Sequence, residues 1–238
     1  MMKEKLVVLS ISCITALLAL CLLTIGGCAN GNDLSEKNAN EEQKQIGGVI
    51  KVNDEAKNDD GIPVFETEIN GVTVKLIKYN GNDKTVVIPD GVTIIGDSAF
   101  DSNETVLSVT IPDSVKKIER NAFVSCISLN DLTIPESVIE IYGGAFAGCI
   151  SLKRIEIPDG VVKLSTNLFQ NCVALKDVTI PGNLVQIEWG TFGNCMSLTN
   201  INIPDSVKEI GDNAFWGCIS LTDEIKEKIS DINPEAEF

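Results

Sequence analysis

Five cysteines, Cys126, Cys149, Cys172, Cys195 and Cys218, stand 23 residues apart along the second half of the chain. Such a column could pair into disulfides or present thiolates to a metal such as zinc. Neither fits the spacing. Five is odd, and side chains at one position of successive stacked units point the same way, whereas a disulfide needs two sulfurs turned toward each other. Zinc needs ligands converging on one point, and a straight column supplies one per unit. The chain holds no histidine, which removes Ser-His and Cys-His nucleophile pairs and most proton transfer near neutral pH. The column reads as a stack of small buried apolar side chains, the setting free cysteine favours, with no metal and no other cofactor. Carboxylates are the second reactive set. Asp90, Asp113, Glu136, Asp159 and Asp205 each follow an Ile-Pro pair, with Gly182 interrupting the series. Stacked at about 4.8 Å they could bind calcium or form the carboxylate pair of a glycosidase. A device repeated in nearly every unit serves the fold more simply, because Pro followed by Asp sets turn dihedrals and satisfies local N–H groups. No residue emerges as catalytic.

The elements that must position these residues are written in the same period. Ile88, Ile111, Ile134, Ile157, Ile180 and Ile203 each precede a proline, and Phe100, Phe123, Phe146, Phe169, Phe192 and Phe215 follow in step, 23 residues apart in every case. Six units therefore share one register. A fixed period of this size means a solenoid, because one unit is too small to bury its own apolar face and must stack on its neighbours. Within a unit, "LNDLTI", "LKRIEI", "LKDVTI" and "LTNINI" place aliphatics at their first, fourth and sixth positions. The last two alternate inward around a polar residue, the pattern of a leucine-rich-repeat strand. Proline then ends the strand, since it has no N–H to give the next coil. A second short run such as "SVKEIG" turns Val207 and Ile210 inward, and "NAF" packs an Ala and a Phe through a short helical turn. The stack is a β-rich, right-handed solenoid with a parallel sheet on one face and a smaller sheet or turn stack opposite.

The recurrent wording, with "IPDSVKKIERNAFVSCISL" (111–129) returning as "IPDSVKEIGDNAFWGCISL" (203–221), resembles the BspA-like leucine-rich repeats, a bacterial class of 23-residue units. The likeness covers about residues 62 to 221. It implies a non-catalytic surface protein of the adhesion type. Repeat 1 has Asn103 where the others have Cys, which suits a first coil nearer solvent. Leu168 and Thr191 replace the recurrent Ala, which predicts a bulged turn in those coils. The segment "GVTVKLIKYNGNDKTVVIP" reads as an N-terminal hairpin cap turning near "NGND". Beyond Leu221, Ile225, Ile229 and Ile232 at helical spacing predict a closing C-terminal helix.

The two ends place the solenoid in a wider plan. Lys3 and Lys5 precede an apolar run from Leu6 to Ile25, the build of an export signal. Ile25-Gly26-Gly27-Cys28 resembles the bacterial lipobox, in which the Cys thiol accepts a lipid; an uncleaved membrane anchor is the alternative. Residues 28–60, beginning at Cys28, are too polar to bury a core and read as a flexible tether about 30 Å long. The expected divisions are 1–27 signal, 28–60 lipidated cysteine and tether, 61–87 hairpin cap, 88–221 solenoid, and 222–238 helical cap with an acidic tail. With 19 basic against 34 acidic residues, the formal charge of −15 repels phosphate backbones, so nucleic acid is excluded as a partner.

What varies between coils carries more information than what recurs. The outward positions of the main sheet form a mixed polar strip in which Asp131, Arg154, Glu156, Asp177 and Asn200 are candidate ligand contacts. Trp189 and Trp216, where most coils have small or polar residues, are candidates on the turns. The expected partner is a protein ligand, of host or envelope origin. A carbohydrate held by the two tryptophans is the alternative, and a purely structural scaffold the third. The expected membrane contact is through lipid on Cys28, with the uncleaved anchor as the alternative.

Overall fold

The computed structural model describes residues 64–238 together with two short strands at 45–46 and 49–53. Cys28 and the segment read as a signal lie outside the described residues. Strands β1 (Gln45–Ile46), β2 (Val49–Asn53), β3 (Phe65–Asn70) and β4 (Thr73–Tyr79) pair antiparallel in chain order. From β4 onward every pairing is parallel, because each coil lays its strands directly beside those of the coil before it. One face carries β5 (Thr85–Val87), β7 (Ser108–Thr110) and β9 (Asp131–Thr133), then β11 (Arg154–Glu156), β13 (Asp177–Thr179) and β15 (Asn200–Ile201). The opposite face continues from β4 through β6 (Ile94–Ile95), β8 (Lys117–Ile118) and β10 (Glu140–Ile141), then β12 (Lys163–Leu164), β14 (Gln186–Ile187) and β16 (Glu209–Ile210). Helix α1 (Asp223–Ile232) closes the end. The solenoid is thus the stack of six 23-residue coils that the period dictates.

Both faces break at the same place. The ladders stop at β9 and β10 and resume at β11 and β12. Elsewhere the carbonyl before each small-sheet turn accepts a backbone N–H from the next coil, as in Glu119 N to Ile95 O and Glu188 N to Leu164 O. At the break, Ile141 O accepts the Ser165 hydroxyl instead. Ser137 and Ser206 donate their hydroxyls to Val115 O and Leu184 O of the preceding coil, and Gly160, at the same position, has no side chain to give. The turns bridge the gap: Gly144 N, Phe146 N and Gly148 N donate to Thr166 O, Leu168 O and Gln170 O.

The core is a set of columns. Phe100, Phe123, Phe146, Phe169, Phe192 and Phe215 are fully buried, their rings stacked at 4.7–5.6 Å between centroids. Tyr79 and Phe65 extend the column into the antiparallel cap. Burial lifts the Tyr79 hydroxyl to about 12, with backbone and side-chain contacts to Asp83 as smaller influences.

Three expectations need correction. The Phe segment is not a helical turn but a run of tight turns. Two residues per coil, one before the Ala position and one two residues after Phe, hold φ between 54° and 76°, as at Asn121 and Ser125 or Asn167 and Asn171. A right-handed helix cannot pass through such residues. No bulge appears at Leu168 and Thr191. Both are fully buried, and the cross-coil bonds through their carbonyls, from Phe146 N and Phe169 N, are 3.0 and 2.8 Å. The Thr191 hydroxyl is absorbed by Glu188 O at 2.6 Å. Finally, the antiparallel hairpin turns at Asn70–Thr73, with Gly71 at φ +62°. The "NGND" stretch instead carries the chain from β4 on one face to β5 on the other.

Candidate functional site

The strand residues on either side of the first inward aliphatic face outward, so successive coils bring Arg154, Asp177 and Asn200, each just before that aliphatic, side by side; the registers are Arg154 opposite Asp177 and Asp177 opposite Asn200. The Arg154 guanidinium lies 4.0 Å from Asp177 Oδ2 and its side chain is 72% exposed. The Asn200 amide donates to Asp177 Oδ1. Glu156 sits two residues along β11 from Arg154, opposite Thr179. Asp131 lies on β9, across the break in the sheet. Three of the five strip candidates therefore form one linked row, and the other two flank it.

Sequence reasoning passed over Lys153 and Lys176. Lys176 N donates to Lys153 O at 2.9 Å, so the two lysines occupy adjacent rungs. With Arg154, Asp177, Ala174 and Ser197 they line a shallow, open depression at the edge of the strip. The signal was present in the sequence: two lysines in adjacent coils one period apart, in a column that reads Lys84, Leu107, Asn130 and Thr199 in the others.

The tryptophans lie elsewhere. Trp189 and Trp216 sit on the turn edge, 45% and 48% exposed, their carbonyls accepting Asn167 N and Asn194 N from the preceding coil. Gly211 packs against Trp189, where an added Cβ would stand 2.7 Å from its backbone nitrogen. The candidate residues thus fall on two separate surfaces. Tyr142, also on the turns, bonds Glu140 at 3.0 Å with the Lys117 ammonium 4.5 Å over its ring.

The cysteine column is structural in detail. All five thiols are free and buried, and each donates to the carbonyl of the Phe one coil back, Cys126 to Phe100, Cys149 to Phe123, Cys172 to Phe146, Cys195 to Phe169 and Cys218 to Phe192. Burial pushes the thiols of Cys126 and Cys172 up to about 12 and those of Cys149 and Cys195 well above their ordinary range. Such thiols are neither nucleophiles nor ligands at neutral pH. Among the described residues no group of His, Cys, Asp and Glu is placed to hold a metal ion, and no helix is long and apolar enough to cross a membrane.

Comparison with known proteins places this geometry. The family described as "BspA type Leucine rich repeat region" matches six copies over residues 93–222. The chain is similar to a T. pallidum leucine rich repeat protein of known structure, at 26% identity over 74% of this chain and 96% of that one, with a TM-score of 0.61. It is also similar to a leucine rich cell surface protein from Faecalibacterium prausnitzii, at 29% identity and a TM-score of 0.52, over 75% of this chain and 53% of that one. No curated protein sequence matches.

Proposed function

The chain belongs to the BspA-type leucine-rich repeat family, whose repeats generally serve as protein-interaction modules and are typically non-catalytic, and on that premise we propose that it is a surface lipoprotein that binds a protein ligand through its outward strip. The observation that carries this reading is the contrast between columns. Inward positions keep one character from coil to coil, Leu132, Ile155, Val178 and Ile201, while the outward row changes from Asp131 to Arg154 to Asp177 to Asn200. A scaffold needs only polarity there. A recognition surface needs particular charges at particular places. The cell-surface description of the F. prausnitzii relative supports the location, and Cys28 is the proposed lipid attachment point.

The test is a double substitution, Arg154→Ser with Asp177→Ser. Both side chains reach solvent, so thermal stability should shift within about 0.5 kcal/mol. Binding to a protein ligand captured by crosslinking at the native cell surface should weaken about tenfold or more, each contact side chain being worth on the order of 1 kcal/mol. Unchanged affinity would sink the assignment. Loss of glycan binding in Trp189→Ala or Trp216→Ala would move the site to the turns, a reading favoured by the two half-exposed indoles. Cys28→Ser should abolish partitioning into a detergent phase; unchanged partitioning would remove the lipid.

A further inference from the structure

We infer that the depression beside the strip receives an acidic segment of the protein partner, with carboxylates on Lys153, Arg154 and Lys176 and an aliphatic side chain on the ridge next to it. This rests on the protein-binding reading above and names the chemistry of the ligand. Three observations carry it.

The first is an unsatisfied charge arrangement. Lys153 and Lys176 are exposed, occupy adjacent rungs of a parallel ladder, and repel one another at that spacing. Arg154 adds a third cation, which Asp177 meets only at 4.0 Å while Asp177 also accepts from Asn200. The depression therefore carries three cations and one anion. Three other lysines, by contrast, are engaged: Lys75 with Glu119 at 2.6 Å, Lys163 with Glu188 at 2.9 Å and Lys228 with Asp205 at 3.0 Å.

The second observation is the global field. A chain with a formal charge of −15 repels acidic partners everywhere except where its cations gather, so this patch is where such a segment can approach. Glu156 and Asp131 lie on the strip outside the depression's lining and confine the anion-accepting area to the Lys153–Lys176 edge.

The third is an aliphatic ridge. Ile150, Val173, Met196 and Ile219 follow the column cysteines in four successive coils, with Ile150, Met196 and Ile219 strongly exposed. Val173 and Met196 immediately precede Ala174 and Ser197, which line the depression. A partner side chain set between two carboxylates would bury against this ridge. Burial and charge pairing together give a segment register, which neither provides alone.

The experiment uses the full chain without its first 27 residues and a fluorescein-labelled heptapeptide of alternating glutamate and leucine, read by anisotropy. The glutamate peptide should bind with an affinity that falls steeply as salt is raised, and its glutamine counterpart at least tenfold more weakly. Lys153→Glu with Lys176→Glu should reduce binding tenfold or more, whereas Lys116→Glu with Lys208→Glu, the same charge change on the opposite face, should alter it less than twofold. Met196→Ser should weaken it severalfold without changing the salt dependence. Equal binding of the glutamine peptide, no binding of either peptide, or equal loss in the two charge-reversal variants overturns the inference. A captured protein partner that ignores Lys153→Glu with Lys176→Glu, yet is lost in Arg154→Ser with Asp177→Ser, overturns the acidic-segment inference alone and leaves the protein-binding reading standing.

Discussion

The thiols of Cys126, Cys149, Cys172 and Cys195 keep their protons in the fold because their charged forms would be desolvated among phenyl rings and aliphatics. That gives stability a pH dependence of known sign. Below about pH 8 folded and unfolded chains both hold these protons and the contribution is fully present. Between the unfolded thiol pKa near 8.5 and the folded values around 12 for Cys126 and Cys172, the unfolded chain releases protons that the fold retains, so stability falls as pH rises, by up to about 1.4 kcal/mol per pH unit per thiol. Urea midpoints under reducing conditions should drop between pH 8 and pH 10, and drop less in Cys172→Ala; identical midpoints at the two pH values would refute the burial account. Tyr79, shifted in the same sense, adds to the fall only above about pH 10. A second residue-scale prediction concerns the left-handed positions. At Gly190, φ is +63° and an added Cβ would collide with the Asn167 amide oxygen of the coil before. Gly190→Ala should cost about 2 kcal/mol or more in chemical denaturation, from the left-handed penalty and the collision together. Gly182→Ala, with open space around it and no positive φ, should be neutral or stabilising by about 0.4–1 kcal/mol.

At the scale of elements, the closing helix shows how a single turn of packing ends the stack. Thr222 caps it by accepting Ile225 N, Ile229 is its one fully buried side chain, and the Asn233 amide donates to Ile210 O on the small-sheet edge. Lys228 reaches back to Asp205 at 3.0 Å and holds that carboxyl below its usual range. Ile229→Ala should lower stability by about 2–4 kcal/mol and expose the Glu209–Ile210 strand, so that amides of the last coil exchange faster than those of the coil at 186–187; uniform exchange would mean the helix does not act as a lid. The helix was legible because three isoleucines at helical spacing follow a threonine. The hairpin was legible as an element but not in its turn, since Asn70-Gly71 and Asn80-Gly81 are equally good turn dipeptides. Long-range pairing decides between them: β3 buries Phe65, Thr67 and Ile69 against Val74 and Leu76 of β4, a contact set visible only once the first coil is in place. The left-handed pairs were missed because Ser, Asn and Gly share those positions and no one residue type holds either of them in every coil.

Across the whole molecule, the period made the fold readable and hid its one irregularity. Every coil obeys the same wording, so the sequence implies unbroken sheets; the break falls where the Ser165 hydroxyl takes the Ile141 carbonyl, and a serine there looks like ordinary variation between coils. The strip candidates were readable as outward and variable, but which of them touch depends on register and on that break, which separates Asp131 from Arg154 while joining Arg154 to Asp177. Removing residues 157–179 deletes one full period and should leave a folded, shorter stack with a smaller denaturant slope, whereas deleting half a period should unfold it. A shortened protein with the parent slope would contradict the additive picture.

The interruption of both faces along one line also has a mechanical meaning. Sheets resist bending because their ladders share the load; where two facing ladders stop together, stiffness is left to the phenylalanine turns at one side, and the rod becomes two stiff arms on a spine. Amide protons of Lys153 and Val162, at the break, should exchange faster than those of Lys176 and Val185, which donate to Lys153 O and Val162 O one coil on. That contrast in exchange would make the step from β9 to β11 the place where the stack bends most easily, and a ligand spanning Asp131 and Arg154 should then slow exchange at Lys153 and Val162.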